Sequence, residues 1–159
     1  MQSESLQFEP IGRVNSPVKV RRLESFREVE SEIVIRPDLV EALEGLDGFS
    51  HLEVIYYMHL RQAGEGWATR VHPMGFTQLP KVGLFATRSP QRPNRLGLTL
   101  CRLLEVRGEI IRVRGLDALD GSPVLDIKAA WKDRHLEAAE MRFPGWTRTA
   151  IELWEQLRQ

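Results

Sequence analysis

The stretch LGLTLCRLLEVRGEIIRVRGL, residues 96–116, decides the fold class of this chain. In its second half, Ile111 and Val113 point to one side of a strand while Arg112 between them points to the other. This period of two residues is typical of a half-buried β-strand. The first half is apolar on both sides, as a central strand of a barrel or sandwich is, and Gly108 turns the chain between the halves. The stretch therefore predicts a β-hairpin.

Further apolar segments outside this hairpin predict three more strands and two helices. The strands are SEIVIRP (31–37), HLEVIYYMHL (51–60) and SPVLDIKAAW (122–131); the helices are PDLVEALEGL (37–46) and GWTRTAIELWEQLRQ (145–159). The pattern favours a mainly β protein, a small barrel with a short internal helix and a C-terminal helix, forming a single domain over residues 1–159.

The C-terminal helix carries a predicted cap and a predicted apolar stripe. Thr147 stands where a side-chain oxygen caps a first helical turn. Ile151, Trp154 and Leu157 follow at helical spacing and form a stripe that needs a partner surface. We expect the stripe to be buried against the barrel or in a subunit interface.

Composition limits the possible functions. Lysine plus arginine number 22, as do aspartate plus glutamate, so binding of an anion or an RNA depends on local clusters of arginine. Cys101 is the sole cysteine, which excludes an internal disulfide and a cysteine zinc site. The polar start and the absence of a long apolar run predict a cytoplasmic protein without a membrane partner.

The segment FATRSPQRPNRLG, residues 85–97, concentrates positive charge in a stiff loop. Its two prolines restrict the backbone and hold Arg88, Arg92 and Arg95 in place. The planar guanidinium suits a carboxylate or a phosphate, and Asn94 adds an amide that both donates and accepts. A solvated connection with no ligand explains the same composition equally well.

A second polar segment, GLDALDGSPVLDIK (115–128), places three aspartates around a turn. Asp120 and Gly121 form a strong turn signal, with Asp117 before it and Asp126 on the outgoing strand. The spacing required for a calcium loop is missing, and the histidines show no zinc spacing, so we predict no metal. Aspartates that only cap a turn remain the alternative.

Four segments together resemble one known family. They are EPIGRVNSPV (9–18), LEGLDGFSHLEVIYYMH (43–59), VGLFATRSPQRPNRLGLTL (82–100) and VRGLDALDGSPVLDIK (113–128), within signature blocks that span residues 8–131. In this order they are similar to the TsaA-like, or YaeB-like, family. Its characterised members are S-adenosylmethionine-dependent tRNA methyltransferases.

The resemblance implies a small β-barrel that binds S-adenosyl-L-methionine without a Rossmann fold, as a homodimer acting on tRNA. The implied reaction methylates N6 of N6-threonylcarbamoyladenosine beside the anticodon. Carried over by motif, the implied cofactor contacts are His59, Leu60, Arg88, Leu98, Asp120, Gly121, Ser122 and Pro123. Arg92, Asn94 and Arg95 are the expected RNA contacts, although Arg95 stands where the family commonly has proline.

The proton on N6 must leave during such a reaction, and we predict Asp126 or Asp120 as its acceptor, with water as the alternative. Two other functions stay open from the sequence. One is methyl transfer from the same cofactor to a different acceptor. The other is a non-catalytic regulator that binds S-adenosyl-L-methionine.

Overall fold

The computed structural model describes residues 6–20, 25–60, 66–131 and 141–157. The chain divides into two compact units, one of Met1–Arg61 with Leu96–Ala130 and one of Gln62–Arg95 with Trp131–Gln159. In the first unit, six antiparallel strands close a barrel in the order β1-β2-β7-β6-β3-β8. These strands are β1 (Gly12–Asn15), β2 (Glu30–Ile35), β3 (His51–Tyr57), β6 (Leu96–Arg107), β7 (Ile110–Arg114) and β8 (Pro123–Ala129). The mainly β prediction is confirmed.

The predicted hairpin is formed by β6 and β7. Arg107 pairs with Ile110, so two residues make the turn, and Gly108 adopts a φ of 57°, which favours glycine. Ile111 and Val113 are fully buried, as the period of two predicted. They belong to the barrel core, whose buried members are Val14, Ile33, Ile35, Leu52, Val54, Tyr56, Cys101, Ile111, Val113, Leu116, Ala118 and Val124.

The pairing of β3 with β8 contains a β-bulge that determines which β8 side chains face into the barrel. Ile55 pairs with Asp126 but Tyr56 pairs with Val124, so Leu125 is the extra residue. Val124 and Ile127 consequently both contribute to the core although they stand three residues apart. Asp126 between them faces outward from the barrel.

The outward side of β6 is apolar and exposed. Leu96, Leu98 and Leu100 are 41%, 48% and 60% accessible, and they alternate with inward residues along the strand. The sequence predicts a strand apolar on both sides, as a centrally placed strand is. The strand is apolar on both sides as predicted, and in the described part of the chain its outward leucines are 41–60% accessible.

The internal helix is present in 3-10 form, over Pro37–Leu43 and Leu46–Gly48. The expected continuous run over 37–46 is interrupted because Glu44 has an extended backbone and Gly45 adopts a φ of 77°. Leu39, Leu43 and Leu46 still pack against the barrel core, so the predicted apolar face is confirmed. The predicted continuous helix is wrong.

The second unit contains a two-stranded antiparallel sheet, β4 (Arg70–Val71) with β5 (Val82–Gly83), and the helix α1 (Trp146–Gln156). Two 3-10 turns accompany the sheet, at Pro73–Gly75 and Leu84–Ala86. In the described part of the chain, no helix has the length and apolar character needed to cross a membrane.

Helix α1 begins one residue earlier than its predicted cap. Gly145 is the N-cap residue, and the Thr147 hydroxyl donates to the Pro144 carbonyl oxygen at 2.6 Å instead of capping the helix. The most buried position is Ala150, whereas Ile151 and Leu157 are 58% and 62% accessible. Trp154, the middle residue of the predicted stripe, is half-buried, so the prediction holds for that residue and is wrong for Ile151 and Leu157. Residues 158–159 of the predicted helix lie outside the described residues.

Candidate functional site

The aspartate-glycine turn lies at the start of β8 and is held by hydrogen bonds to the β1 segment. The Ser122 amide donates to the Leu119 carbonyl at 3.1 Å, and Gly121 takes a φ of 75°, which explains the glycine. The Gly121 and Asp120 amides donate to the carbonyls of Val14 and Val18, each at 2.8 Å. The turn therefore has a fixed backbone.

The Asp120 carboxylate and the Arg13 guanidinium add side-chain contacts to this turn. Asp120 Oδ1 accepts a hydrogen bond from the Ser16 amide at 3.0 Å, and Arg13 donates to the Gly121 carbonyl at 3.2 Å. A carboxylate held through one oxygen keeps acceptor capacity for a polar ligand. Asp120 is thus part of the turn and also a group that a ligand can contact.

His59, just beyond the end of β3, lies against the same turn. Its Nδ1 is 3.3 Å from the Ser122 hydroxyl, which is buried. A Cβ atom built on Gly121 would stand 3.6 Å from His59 Nε2, at van der Waals distance, so the imidazole lies close against the glycine. The predicted contacts His59, Asp120, Gly121 and Ser122 are therefore brought together, with Pro123 next in the chain.

The remaining predicted cofactor contacts are Leu60, Leu98 and Arg88. Leu60 follows His59 and is exposed, and Leu98 is on the outward side of β6. Arg88 is exposed and belongs to the second unit. The turn and His59 form the compact part of the candidate site.

A polar cluster of Tyr56, Thr99 and Asp117 supports the segment that leads into the turn. The Tyr56 hydroxyl donates to Asp117 Oδ1 at 2.7 Å, and the Thr99 hydroxyl donates to the same oxygen. Gly97 is required beside the Tyr56 ring, because a Cβ atom there would lie 2.2 Å from Tyr56 Cζ. Gly97 thus makes room for the Tyr56 ring, which fills the space beside it.

Asp117 also affects the buried thiol of Cys101. Burial raises the pKa of Cys101 to about 12, and the negative charge of Asp117 adds to the increase. The thiol lies 3.7 Å from the Leu52 carbonyl inside the core. Cys101 is therefore a core residue, and a buried thiol with a raised pKa is a poor nucleophile.

The two predicted proton acceptors occupy different environments. Asp126, on the outward side of β8, forms a 2.7 Å ion pair with Lys128 and accepts from the Ile127 amide at 2.9 Å. The hydrogen bond to Asp126 raises the pKa of Lys128 because it stabilises the ammonium form. Asp120 lies in the turn beside His59, so it is the better placed of the two for a ligand bound there.

The arginine loop belongs to the second unit and is braced by its own hydrogen bonds. The Arg92 guanidinium donates to the Thr87 carbonyl, and the Arg92 amide donates to the Pro90 carbonyl at 2.8 Å. Asn94 is exposed, and Arg95 adopts a φ of 48°, unusual for a residue with a side chain. Part of the Arg92 side chain thus stabilises the loop itself.

Sequence reasoning missed the participation of Tyr56, Thr99 and Ser16. Tyr56 and Thr99 stand in strand patterns that look apolar, and their hydroxyls meet Asp117 only through strand pairing. Ser16 contacts Asp120 across 104 residues. No local spacing marks such partners, although a buried tyrosine usually has a hydroxyl partner.

A closed antiparallel barrel with His59 against the Asp120–Ser122 turn defines a class of small β-barrel proteins. The chain belongs to the family of the tRNA-methyltransferase O N-terminal domain, whose model matches residues 16–134. This confirms the family that the sequence resembles.

Individual relatives agree with that assignment. A protein of Methanothermobacter thermautotrophicus named "Probable S-adenosyl-L-methionine-binding protein" is 47% identical over 137 residues, which are 84% of this chain and 96% of that protein. The tRNA (adenine(37)-N6)-methyltransferase of Escherichia coli K12 is 36% identical over 78% of this chain and 57% of its own length. The crystal structure of TrmO from Pseudomonas aeruginosa superposes with a TM-score of 0.69 at 26% identity, covering 98% of this chain and 77% of that one.

Proposed function

We propose that this protein is an S-adenosyl-L-methionine-dependent tRNA methyltransferase whose acceptor is N6 of N6-threonylcarbamoyladenosine next to the anticodon. Family membership and the names of the relatives support the reaction class. The observation that carries the proposal is the fixed Asp120–Ser122 turn with His59 packed across Gly121. It offers a carboxylate, a hydroxyl, an imidazole and backbone groups on one small surface.

S-adenosyl-L-methionine fits the donors and acceptors of this turn. Asp120 keeps acceptor capacity for an ammonium or a hydroxyl group, and His59 adds an imidazole next to Gly121. In the proposal, Leu60, Leu98 and Pro123 supply apolar contact, and Arg88 stays a contact implied by the family resemblance alone. The cofactor would supply an electrophilic methyl group bonded to a sulfonium.

Methyl transfer of this kind depends mainly on positioning and on excluding water. The protein must hold the acceptor nitrogen in line with the methyl group and accept one proton from N6. We assign that proton to Asp120, with Asp126 as the alternative. Asp120→Asn should then lower turnover more than Asp126→Asn, measured with saturating cofactor so that weaker binding does not contribute.

The deciding experiment is nucleoside mass spectrometry of tRNA incubated with the purified protein and isotopically labelled cofactor. A labelled methyl group on threonylcarbamoyladenosine supports the proposal. Calorimetry with His59→Ala should show weaker cofactor binding, whereas His51→Ala, at the opposite end of β3, serves as the matched control. If the tRNA carries no labelled methyl group, the proposed reaction is contradicted. If His59→Ala and His51→Ala bind the cofactor with the same affinity, the proposed site is contradicted.

A non-catalytic protein that binds the same cofactor is the second candidate. It is favoured by the name of the 47% identical relative, which mentions binding and no reaction. The same experiments separate the two functions. Tight cofactor binding together with the absence of methyl transfer to tRNA or other acceptors would select the regulator.

We also propose that the protein is a homodimer in the cytoplasm, where its tRNA acceptor is found. Support for the dimer comes from the exposed apolar side of β6. Its three accessible leucines stand at alternate positions and form an apolar patch, and exposed apolar patches often mark protein interfaces. Leu100→Glu should lower the mass measured by light scattering, and Glu53→Gln, on the paired position of β3, is the control. A native protein that is monomeric at micromolar concentration would end the dimer proposal.

A further inference from the structure

The second unit contains most of a long stretch without a single carboxylate side chain. From Gly66 to Leu104 there is no aspartate or glutamate, although the chain has 22 of them. The same stretch carries six cationic residues, namely Arg70, Lys81, Arg88, Arg92, Arg95 and Arg102. A protein with zero net charge thus has a local excess of positive charge here, which attracts polyanions.

Phe85 stands in this stretch with its ring in solvent. Its side chain is 79% accessible, more than any other large apolar residue described, while the preceding Leu84 is buried. The Leu84 amide donates to the Thr69 carbonyl at 2.9 Å, and the Thr87 hydroxyl donates to the Leu84 carbonyl at 2.8 Å. The backbone on both sides of Phe85 is therefore fixed.

The same hydrogen bonds join Phe85 to the arginine loop. Thr87, two residues after Phe85, accepts the Arg92 guanidinium on its carbonyl and the Ser89 amide on its hydroxyl at 3.2 Å. The Gln91 amide then donates to the Ser89 hydroxyl at 3.3 Å. An exposed aromatic ring and a cationic loop are thus parts of one braced segment.

A second exposed aromatic residue lies on the neighbouring segment. Arg70 pairs with Gly83, and Thr69 is bonded to Leu84, so the chain at Trp67 runs alongside the turn that carries Phe85. Trp67 is 56% accessible. Aromatic faces between cationic side chains are the usual composition of a surface for single-stranded nucleic acid.

We infer that Phe85 is a stacking platform for an unpaired base of the RNA acceptor, with the arginine loop neutralising the adjacent phosphates. The inference rests on the proposed function and adds to it the residue that holds the loop of the RNA. A protein partner is disfavoured because every formally charged side chain of this stretch is cationic, which matches a polyanion. Each base stacked on an aromatic side chain contributes enough to change RNA affinity by about fivefold to a hundredfold.

The test uses an anticodon stem-loop RNA in which loop purines are replaced one at a time by 2-aminopurine, whose fluorescence falls when it stacks. The native protein should quench one position. Phe85→Ala should remove that quenching and weaken RNA binding about tenfold or more, while Phe85→Trp should retain both. Phe143→Ala is the matched control, because Phe143 is 67% accessible but lies outside the stretch without carboxylates. Cofactor affinity should be unchanged in all variants.

The outcomes separate this inference from the proposed function. If the native protein binds the RNA and Phe85→Ala binds it equally well, stacking is wrong and the proposed function stands. If the native protein binds the cofactor but no RNA, both fall. If Phe85→Ala lowers the mass in light scattering without changing RNA affinity, Phe85 contacts a second copy of the chain, and the inference is overturned.

Discussion

At the residue scale, Gly97 leaves no room for a side chain beside Tyr56. A Cβ atom would approach the Tyr56 ring to 2.2 Å at Cζ and 2.5 Å at both Cε atoms. Gly97→Ala must move the ring and disturb its hydrogen bond to Asp117, so we expect a loss of about 2–4 kcal/mol in the free energy of unfolding. Urea titration measures this loss, and Gly48→Ala, with nothing within 4 Å, is the control.

Cys101 gives a prediction about pH. Its pKa is raised to about 12 in the folded chain from a value of 9.0, so above pH 9 the unfolded chain loses a proton that the folded chain keeps. The contribution of Cys101 is fully present below pH 9 and is lost as the pH rises toward 12, at up to about 1.4 kcal/mol per pH unit. Urea midpoints should fall more steeply between pH 8 and 10.5 in the native protein than in Cys101→Ala. Equal slopes would contradict the raised pKa.

At the element scale, α1 shows which side of a helix is packed. Ala150 is 4% accessible and its neighbour Ile151 is 58% accessible. Ala150→Glu should cost about 2–4 kcal/mol because it buries a charge, while Ile151→Glu should stay within about 0.5 kcal/mol. Thermal melts followed by circular dichroism at 222 nm compare the two. The reverse order would restore the stripe predicted from the sequence.

The elements themselves differ in how well the sequence predicts them. The β6–β7 hairpin is set by local alternation and one glycine, so it is correctly predicted. The internal helix and the stripe of α1 depend on where a backbone leaves helical geometry and on which side finds a partner. Those are tertiary effects that periodicity does not contain. The turn at Asp120 is local and is predicted, whereas its contact with Ser16 is not.

At the scale of the whole molecule, zero net charge makes any RNA affinity a local property. Arg95→Gln should weaken tRNA binding and lower the slope of log affinity against log salt by about one, as expected for one phosphate contact. Arg148→Gln, on the exposed side of α1, should change neither quantity. Filter binding between low and moderate salt provides both numbers, and an unaltered slope for Arg95→Gln would remove this residue from the RNA surface.

The closure of the barrel by β1 and β8 has a consequence for local opening. The ladder at this seam joins Gly12 with Val124 and Arg13 with Pro123, and four further backbone hydrogen bonds flank it, whereas β3 and β6 pair over seven residues, His51 to Tyr57. A short seam is the part of a closed sheet that opens first, and its amides should exchange with deuterium earlier than those of β3. The candidate ligand turn leads into β8, so a bound ligand would slow that exchange. The exchange rate of the seam amides would then report how much of the site is occupied.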